Sequence, residues 1–185
     1  IIGFLSFASM IWGAFGAVAQ TNIKRMLAYG AIGNMGYALM GVLAGTAGGV
    51  AGALLYMMIY LFMSAGTFAV LLGLRREGRM VEDIADFAGL SRTHKGMATF
   101  LMVMMFSMAG IPPLAGFFGK LLVFLAAVHA GYLALAIVGV LSSVVAAYYY
   151  INIIRLMFFE VPPAAPITGR LDVGGVVIAG ISVVF

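Results

Sequence analysis

The chain has no cysteine and very little charge. Without cysteine it can form no disulfide, no thiolate metal site and no cysteine nucleophile. It contains no HExxH, no paired Cys/His set and no P-loop, so metal and nucleotide sites of those types are excluded. Only 9% of residues are charged, against roughly 25% in a soluble domain. With 64% hydrophobic residues, the composition is that of an integral membrane protein and leaves no room for a soluble catalytic domain. The ten cations exceed the six carboxylates by a small margin, and nearly all lie in connections. That pattern speaks of membrane topology and excludes nucleic-acid binding. No basic n-region precedes the apolar opening at Ile1, so the start does not read as a signal peptide. The apolar run ending Val183, Val184, Phe185 gives the expectation of an internal piece of a longer membrane chain.

What is present is a series of long apolar runs. Crossing about 30 Å of hydrocarbon takes roughly 20 helical residues. Runs near 2–20, 26–44, 50–74, 97–128 and 131–155 qualify, with a partial run at 173–185. Each is expected to be helical, because a lone strand cannot satisfy its backbone in lipid. The expected fold is therefore an all-α, multi-spanning helical bundle, one membrane domain over 1–185. Gly33/Gly36 and Gly41/Gly45 are small-residue pairs suited to close helix packing. The connections 20–25, 75–95 and 155–172 hold Lys24, Arg25, Arg75, Arg76, Arg79, Arg92, Lys95, Arg155 and Arg170, and all the carboxylates. Connections near 45–49 and 128–131 hold none, and His129 is the one ionisable side chain there. With alternating helices the charged loops fall on one side, which the positive-inside rule makes cytoplasmic. Within 75–95, Val81, Ile84, Ala85 and Ala88 repeat at helical spacing opposite Glu82, Asp83 and Asp86, predicting a short amphipathic surface helix.

One span is too long. Gly96 to Val128 as an unbroken helix would reach ~50 Å. Its interior holds Ala109-Gly110-Ile111-Pro112-Pro113. Two prolines supply no N–H and clash with carbonyls one turn earlier. The carbonyls near Met108 and Ala109 then lack helical partners, which is tolerated at depth only where they face protein or a wet cavity. The expectation is a discontinuous helix, one half to about 109 and the other from about 115, with Gly110, Pro112, Pro113 and Gly116 building the break. Lys120 falls in the first two turns of the second half. It is the one formal charge in the middle of an apolar run. Desolvation disfavours its ammonium form, and so does the positive end of the second half-helix. An intramembrane charge of this kind points to an ion or proton pathway. The plainer alternative is that Lys120 snorkels to a headgroup or only stabilises unwound carbonyls; about ten residues separate it from the nearest turn, which strains snorkelling.

FSMAGIPPLAGFFGK at 106–120 resembles the signature of the antiporter-like membrane subunits of respiratory complex I (NADH:quinone oxidoreductase). QTNIKRMLAYGAIGNMGYALMGV at 20–42 and SSVVAAYYYINIIRLMF at 142–158 resemble two further segments, in the family's order. Lys at 120 without a following acidic pair resembles the N-type branch; M-type members carry Glu there. The resemblance implies fourteen helices with two inverted five-helix repeats, of which this sequence looks like helices nine to fourteen, including the second repeat. It implies that Lys120 is the lysine of the broken twelfth helix, a proton relay. Departures matter too. Gly30, Ala31 and Asn34 stand where relatives often have Ser-Ser and His, and LFMSAGTFAV offers only Ser64 and Thr67 where sister subunits carry His or Lys.

Lys24, Asn34, Ser64, Thr67 and His129 are candidate relay or water contacts. Each also has a plainer reading: Lys24 as an inner-face anchor, Asn34 as an interhelical hydrogen-bonder, His129 as a solvated loop residue. Tyr148, Tyr149 and Tyr150 read as an interfacial aromatic belt. Tyr29, Tyr37, Tyr56 and Tyr60 read as packing or as the lining of a wet path. The methionines 102, 104, 105 and 108 read as adaptable packing. The resemblance implies a redox-free proton-translocating subunit of the bacterial inner membrane. Its partners would be other antiporter-like and small membrane subunits and the lipid bilayer. NAD, flavin, iron–sulfur clusters and quinone would belong to those partner chains, with no cofactor or metal here. The rivals are a subunit of a multisubunit cation/proton antiporter and a non-conducting membrane scaffold.

Overall fold

A computed structural model describes residues 1–76, 78–162, 167–169 and 173–184. Arg170 and most of the second half of the 155–172 connection lie outside the described residues. Helices dominate: α1 (Ile2–Val18), α2 (Ile23–Leu43) and α3 (Ala47–Gly73) precede the charged connection. α4 (Leu90–Thr93), α5 (Lys95–Ala109), α6 (Ala115–His129), α7 (Leu133–Phe159) and α8 (Val173–Val184) follow it. Three of these, α2, α3 and α7, are each long and apolar enough to cross a membrane. α1 is shorter, at 17 residues. The run near 97–128 is two helices of 15 residues each, separated by Gly110–Leu114. The discontinuous crossing is therefore present, with the break at the expected place.

Local sequence explains the ends. Asn22 caps α2, its side-chain oxygen accepting from the Lys24 and Arg25 amides at 3.0 and 3.2 Å. Thr46 caps α3 through the Gly49 amide at 3.0 Å. α1 packs closely on α2 because glycines face each other. A β-carbon at Gly36 would stand 2.9 Å from the Ser6 carbonyl oxygen, and one at Gly13 would stand 2.7 Å from that of Tyr29. Ser6 Oγ also donates to the Gly36 carbonyl at 2.7 Å. Gly41 approaches the Gly49 carbonyl of α3. Its expected partner Gly45 instead takes φ +66° in the turn after α2, so that glycine serves a bend and not a packing face.

The charged connections meet at one end of the bundle. A three-stranded sheet, order β2-β1-β3, joins β1 (Leu74–Arg76), β2 (Arg79–Met80) and β3 (Thr168–Gly169), all antiparallel. The Ile23 amide donates to the Glu82 carbonyl and the Ile84 amide to the Thr21 carbonyl, each at 2.8 Å. The Gly89 amide reaches the Leu156 carbonyl at 3.0 Å. Here the expected amphipathic helix over 81–88 is corrected. The segment is an extended stretch, a bridge from Asp83 to Asn22, and one 3₁₀ turn at Ile84–Phe87. Val81, Phe87 and Leu90 are plugged into the core beneath it. So short a helix is marginal alone, and pairing with the 20–23 connection satisfies the backbone instead.

The buried interior forms two apolar clusters. One lies toward the charged end, around Leu101, Met105, Met108, Tyr150 and Ile153. The other gathers Met10, Tyr37, Met40, Tyr56 and Val123. Tyr149 and Tyr150 belong to the first cluster, with ring centroids 4.5 Å apart. That corrects the aromatic belt: only Tyr148 of the three is exposed, at 65%. Residues 146, 149, 150, 153 and 157 fall on one helical face, and α7 turns that face inward. The outward surfaces carry Phe4, Trp12, Leu54, Leu61 and Val144, an apolar exterior.

Candidate functional site

The break begins with a complete helix stop. Gly110 adopts φ +84°, the left-handed conformation that glycine takes without penalty. Its amide reaches the Ser107 carbonyl at 3.0 Å, and the Ile111 amide reaches the Phe106 carbonyl at 3.1 Å. This is the Schellman pattern. It satisfies the carbonyls of Phe106 and Ser107 and leaves those of Met108 and Ala109. The peptide between Pro112 and Pro113 is cis.

α6 starts without a side-chain cap of its own. A hydroxyl from α5 supplies one: the Gly116 amide donates to Ser107 Oγ at 3.1 Å. The two half-helices touch here so closely that a β-carbon at Gly116 would overlap the Ser107 carbonyl oxygen. Gly116 thus permits the approach, and Ser107 holds it.

Lys120 then returns to the break. It is 4% exposed, and among the described buried residues it alone carries a formal charge. Its Nζ donates to the Met108 carbonyl at 2.8 Å and to the Ala109 carbonyl at 3.3 Å, the two that the helix stop leaves over. A third bond runs to Ser143 Oγ on α7 at 3.0 Å. The Tyr37 ring of α2 lies 5.2 Å from Nζ, in cation–π range. Snorkelling is therefore not what this side chain does. The dipole reading needs an addition as well. Lys120 sits in the first turns of α6, which disfavours a cation, but its head lies on the C-terminal carbonyls of α5, which favour one. Met108 belongs to one apolar cluster and Tyr37 to the other, so Lys120 lies on the seam between them.

The other candidates are dispersed. Asn34 is buried and accepts from the Tyr56 hydroxyl of α3 at 2.8 Å. Ser64 and Thr67 give their protons to their own helix, at Leu61 O and Met63 O, and neither is a hydrogen-bond partner of Lys120. Lys24 sits at the charged end, 2.8 Å from Glu82. His129 is exposed at the last residue of α6. Of the tyrosines, Tyr37 and Tyr56 pack edge-to-face, 6.3 Å apart. The Tyr37 hydroxyl lies 3.0 Å from Ser142 Oγ.

Sequence reasoning missed Ser107 and Ser143. Two adjacent hydroxyls, Ser142-Ser143, inside a 27-residue apolar helix were the available signal. Chemically, the site is a lysine held by three neutral acceptors. It can stabilise the broken backbone, and it can exchange a proton with whatever reaches Ser143.

The family model for the transmembrane region of NADH:quinone oxidoreductase and Mrp antiporter subunits matches residues 1–146. NADH-quinone oxidoreductase subunit N of Rhodospirillum rubrum is 59% identical over 160 residues, which is 86% of this chain and 33% of that protein. The chain spans about a third of the length of the curated relatives it matches. Among solved structures, a chain of respiratory complex I from Thermus thermophilus superposes with TM-score 0.84 at 29% identity, over 99% of this chain and 41% of that one. A chain of the Mrp complex from Dietzia sp. superposes with TM-score 0.78 at 28% identity, over 88% of this chain and 30% of that one. On the break, its lysine and these matches, the chain belongs to the NADH:quinone oxidoreductase/Mrp antiporter transmembrane family.

Proposed function

We propose that this chain works as part of an N-type, proton-translocating membrane subunit of NADH:quinone oxidoreductase, and that Lys120 is its proton relay. One observation carries the reading. Lys120 Nζ is buried at a helix break with only neutral partners, two carbonyls and a hydroxyl. No carboxylate among the described residues faces it, so nothing near it locks the ammonium in place. A charge moving in a neighbouring subunit would then bias its protonation. The similarity to subunit N relatives supports the complex. The partners would be other membrane subunits and the bilayer. The chain would have no redox site of its own, with NAD, flavin, iron–sulfur clusters and quinone in partner chains. The charged end, built from 20–25, 75–95 and 155–172, would face the cytoplasm of a bacterial inner membrane. Gly110, Pro112, Pro113 and Gly116 would hold the break open for the lysine.

The test is Lys120→Met in the assembled complex. Proton flux carried by this chain is expected to fall on the order of a hundredfold, the scale of losing a positioned proton-transfer group. Assembly, judged by native gel, is expected to persist. Parent-level pumping would refute the relay and leave the scaffold reading, in which Lys120 only ties off carbonyls.

A second reading is a subunit of a multisubunit cation/proton antiporter, supported by the superposition on a chain of the Mrp complex. Sodium-dependent transport without quinone linkage would favour it.

A further inference from the structure

Lys120 has three hydrogen-bond partners, and an ammonium has three N–H bonds to give. The partners are not equivalent. The Met108 and Ala109 carbonyls can only accept. Ser143 is a hydroxyl, which accepts from an ammonium and donates to a neutral amine. A neutral lysine keeps two N–H bonds, enough for the two carbonyls, and gains one lone pair. Ser143 is the one partner able to fill that lone pair, so it fits both protonation states of Lys120 without any other group moving.

Several other helix hydroxyls do not share this freedom. Ser142 donates to the Gly139 carbonyl at 2.9 Å, so the Tyr37 hydroxyl must be the donor in its 3.0 Å bond to Ser142. Ser64, Thr67 and Ser182 each hand their proton to a carbonyl of their own helix. Among the described residues, no carbonyl of α7 takes the Ser143 proton. Ser143 is also only half-buried, whereas Lys120 and Ser142 are sealed. Ser143 thus lies between Nζ and the less buried face of α7, with the Tyr37 hydroxyl also facing it.

We propose that Ser143 is the proton port of Lys120. The proposal rests on the relay reading of Lys120 given above. In the releasing step an N–H bond of the ammonium breaks and its proton bonds to Ser143 Oγ. The original O–H bond of Ser143 breaks at the same time, and that proton passes to a water molecule in contact with Oγ. The products are a neutral amine, an intact serine and a hydronium ion. The new O–H then points back at the amine, in the orientation the lone pair requires. Uptake is the reverse.

The experiment uses the assembled oxidoreductase carrying this chain, in proteoliposomes, with quinone-linked proton pumping and native-gel assembly both measured. Thr and Val share a β-branched shape and differ by the hydroxyl. Ser143→Thr is expected to keep most of the pumping, and Ser143→Val and Ser143→Ala to reproduce most of the loss caused by Lys120→Met. Ser6→Ala removes a buried hydroxyl bonded to Gly36, away from Lys120, and is expected to pump like the parent. Equal pumping by Ser143→Thr and Ser143→Val overturns the port, because packing and not the hydroxyl would then matter. Parent-level pumping by both Ser143→Ala and Ser143→Val beside an inactive Lys120→Met also overturns it, while sparing the relay. Full pumping by Lys120→Met sinks the relay itself. If Ser143→Ala does not assemble, the Thr and Val pair still decides.

Discussion

Lys24 and Lys120 are the same residue type near the starts of two helices, and they live in opposite worlds. Lys24 is part-exposed and bonded to the Glu82 carboxylate at 2.8 Å. Lys120 is buried and bonded to two carbonyls and a hydroxyl. The first is an ion pair in a high-dielectric setting, where attraction is weak. The second faces no carboxylate among the described residues, and dipoles surround its charge. A lysine tied to a carboxylate holds a loop in place. In the relay reading proposed above, a lysine held by dipoles loses its proton and keeps its position.

The sharpest way to break this contrast is Lys120→Arg. Arginine can still donate to the Met108 and Ala109 carbonyls, but it does not release a proton in any working range. If the role of Lys120 is capping, Lys120→Arg pumps. If it is relay, flux through the chain is expected to drop on the order of a hundredfold with assembly retained. Pumping assays on reconstituted complex read the difference, and Lys24→Arg serves as the silent counterpart.

Next in size comes Gly116→Ala. The added methyl would overlap the Ser107 carbonyl oxygen. Both half-helices must shift, at a cost of about 1–3 kcal/mol for overpacking. Thermal unfolding of the solubilised complex is expected to move downward, and pumping to fall with it because Lys120 loses its registry with the carbonyls. An unchanged melting profile would show that the break is looser than the contacts imply.

The smallest effect belongs to the charged end. The hydrogen bond from Lys24, then that from Asn22, holds the Glu82 carboxyl below its ordinary range. A depressed carboxyl contributes stability above its unfolded value and loses it as pH falls through the folded one. At neutral pH the pair is intact, and Glu82→Gln imitates its acid form. Glu82→Gln is expected to leave pumping at parent level and to remove only the low-pH dependence of melting that this pair contributes. A pumping defect in Glu82→Gln would mean that the two lysines are coupled.

The broken crossing was legible because proline chemistry is local. Pro112-Pro113 removes amides and clashes wherever it sits, so the stop at Ala109 and the restart at Ala115 follow from the sequence. The lone lysine was legible for a similar reason, since a charge in an apolar run stands out. The surface segment over 81–88 was not. Its helical spacing is real, but the decisive partners are the amides and carbonyls of 20–23, some sixty residues away. The tyrosines at 149 and 150 misled for the same reason: which face of α7 turns inward depends on its neighbours.

The sequence by itself determined that the chain lives in a membrane, where its long helices run, where one of them breaks and which charge lies inside. Those are properties of composition and of bonds between near neighbours. Only the tertiary structure decided what that charge touches. Met108 and Ala109 lie twelve and eleven residues from Lys120, and Ser143 lies twenty-three away. No periodicity encodes such meetings; they follow from two half-helices folding past one another until the lysine and the leftover carbonyls of the break have found each other.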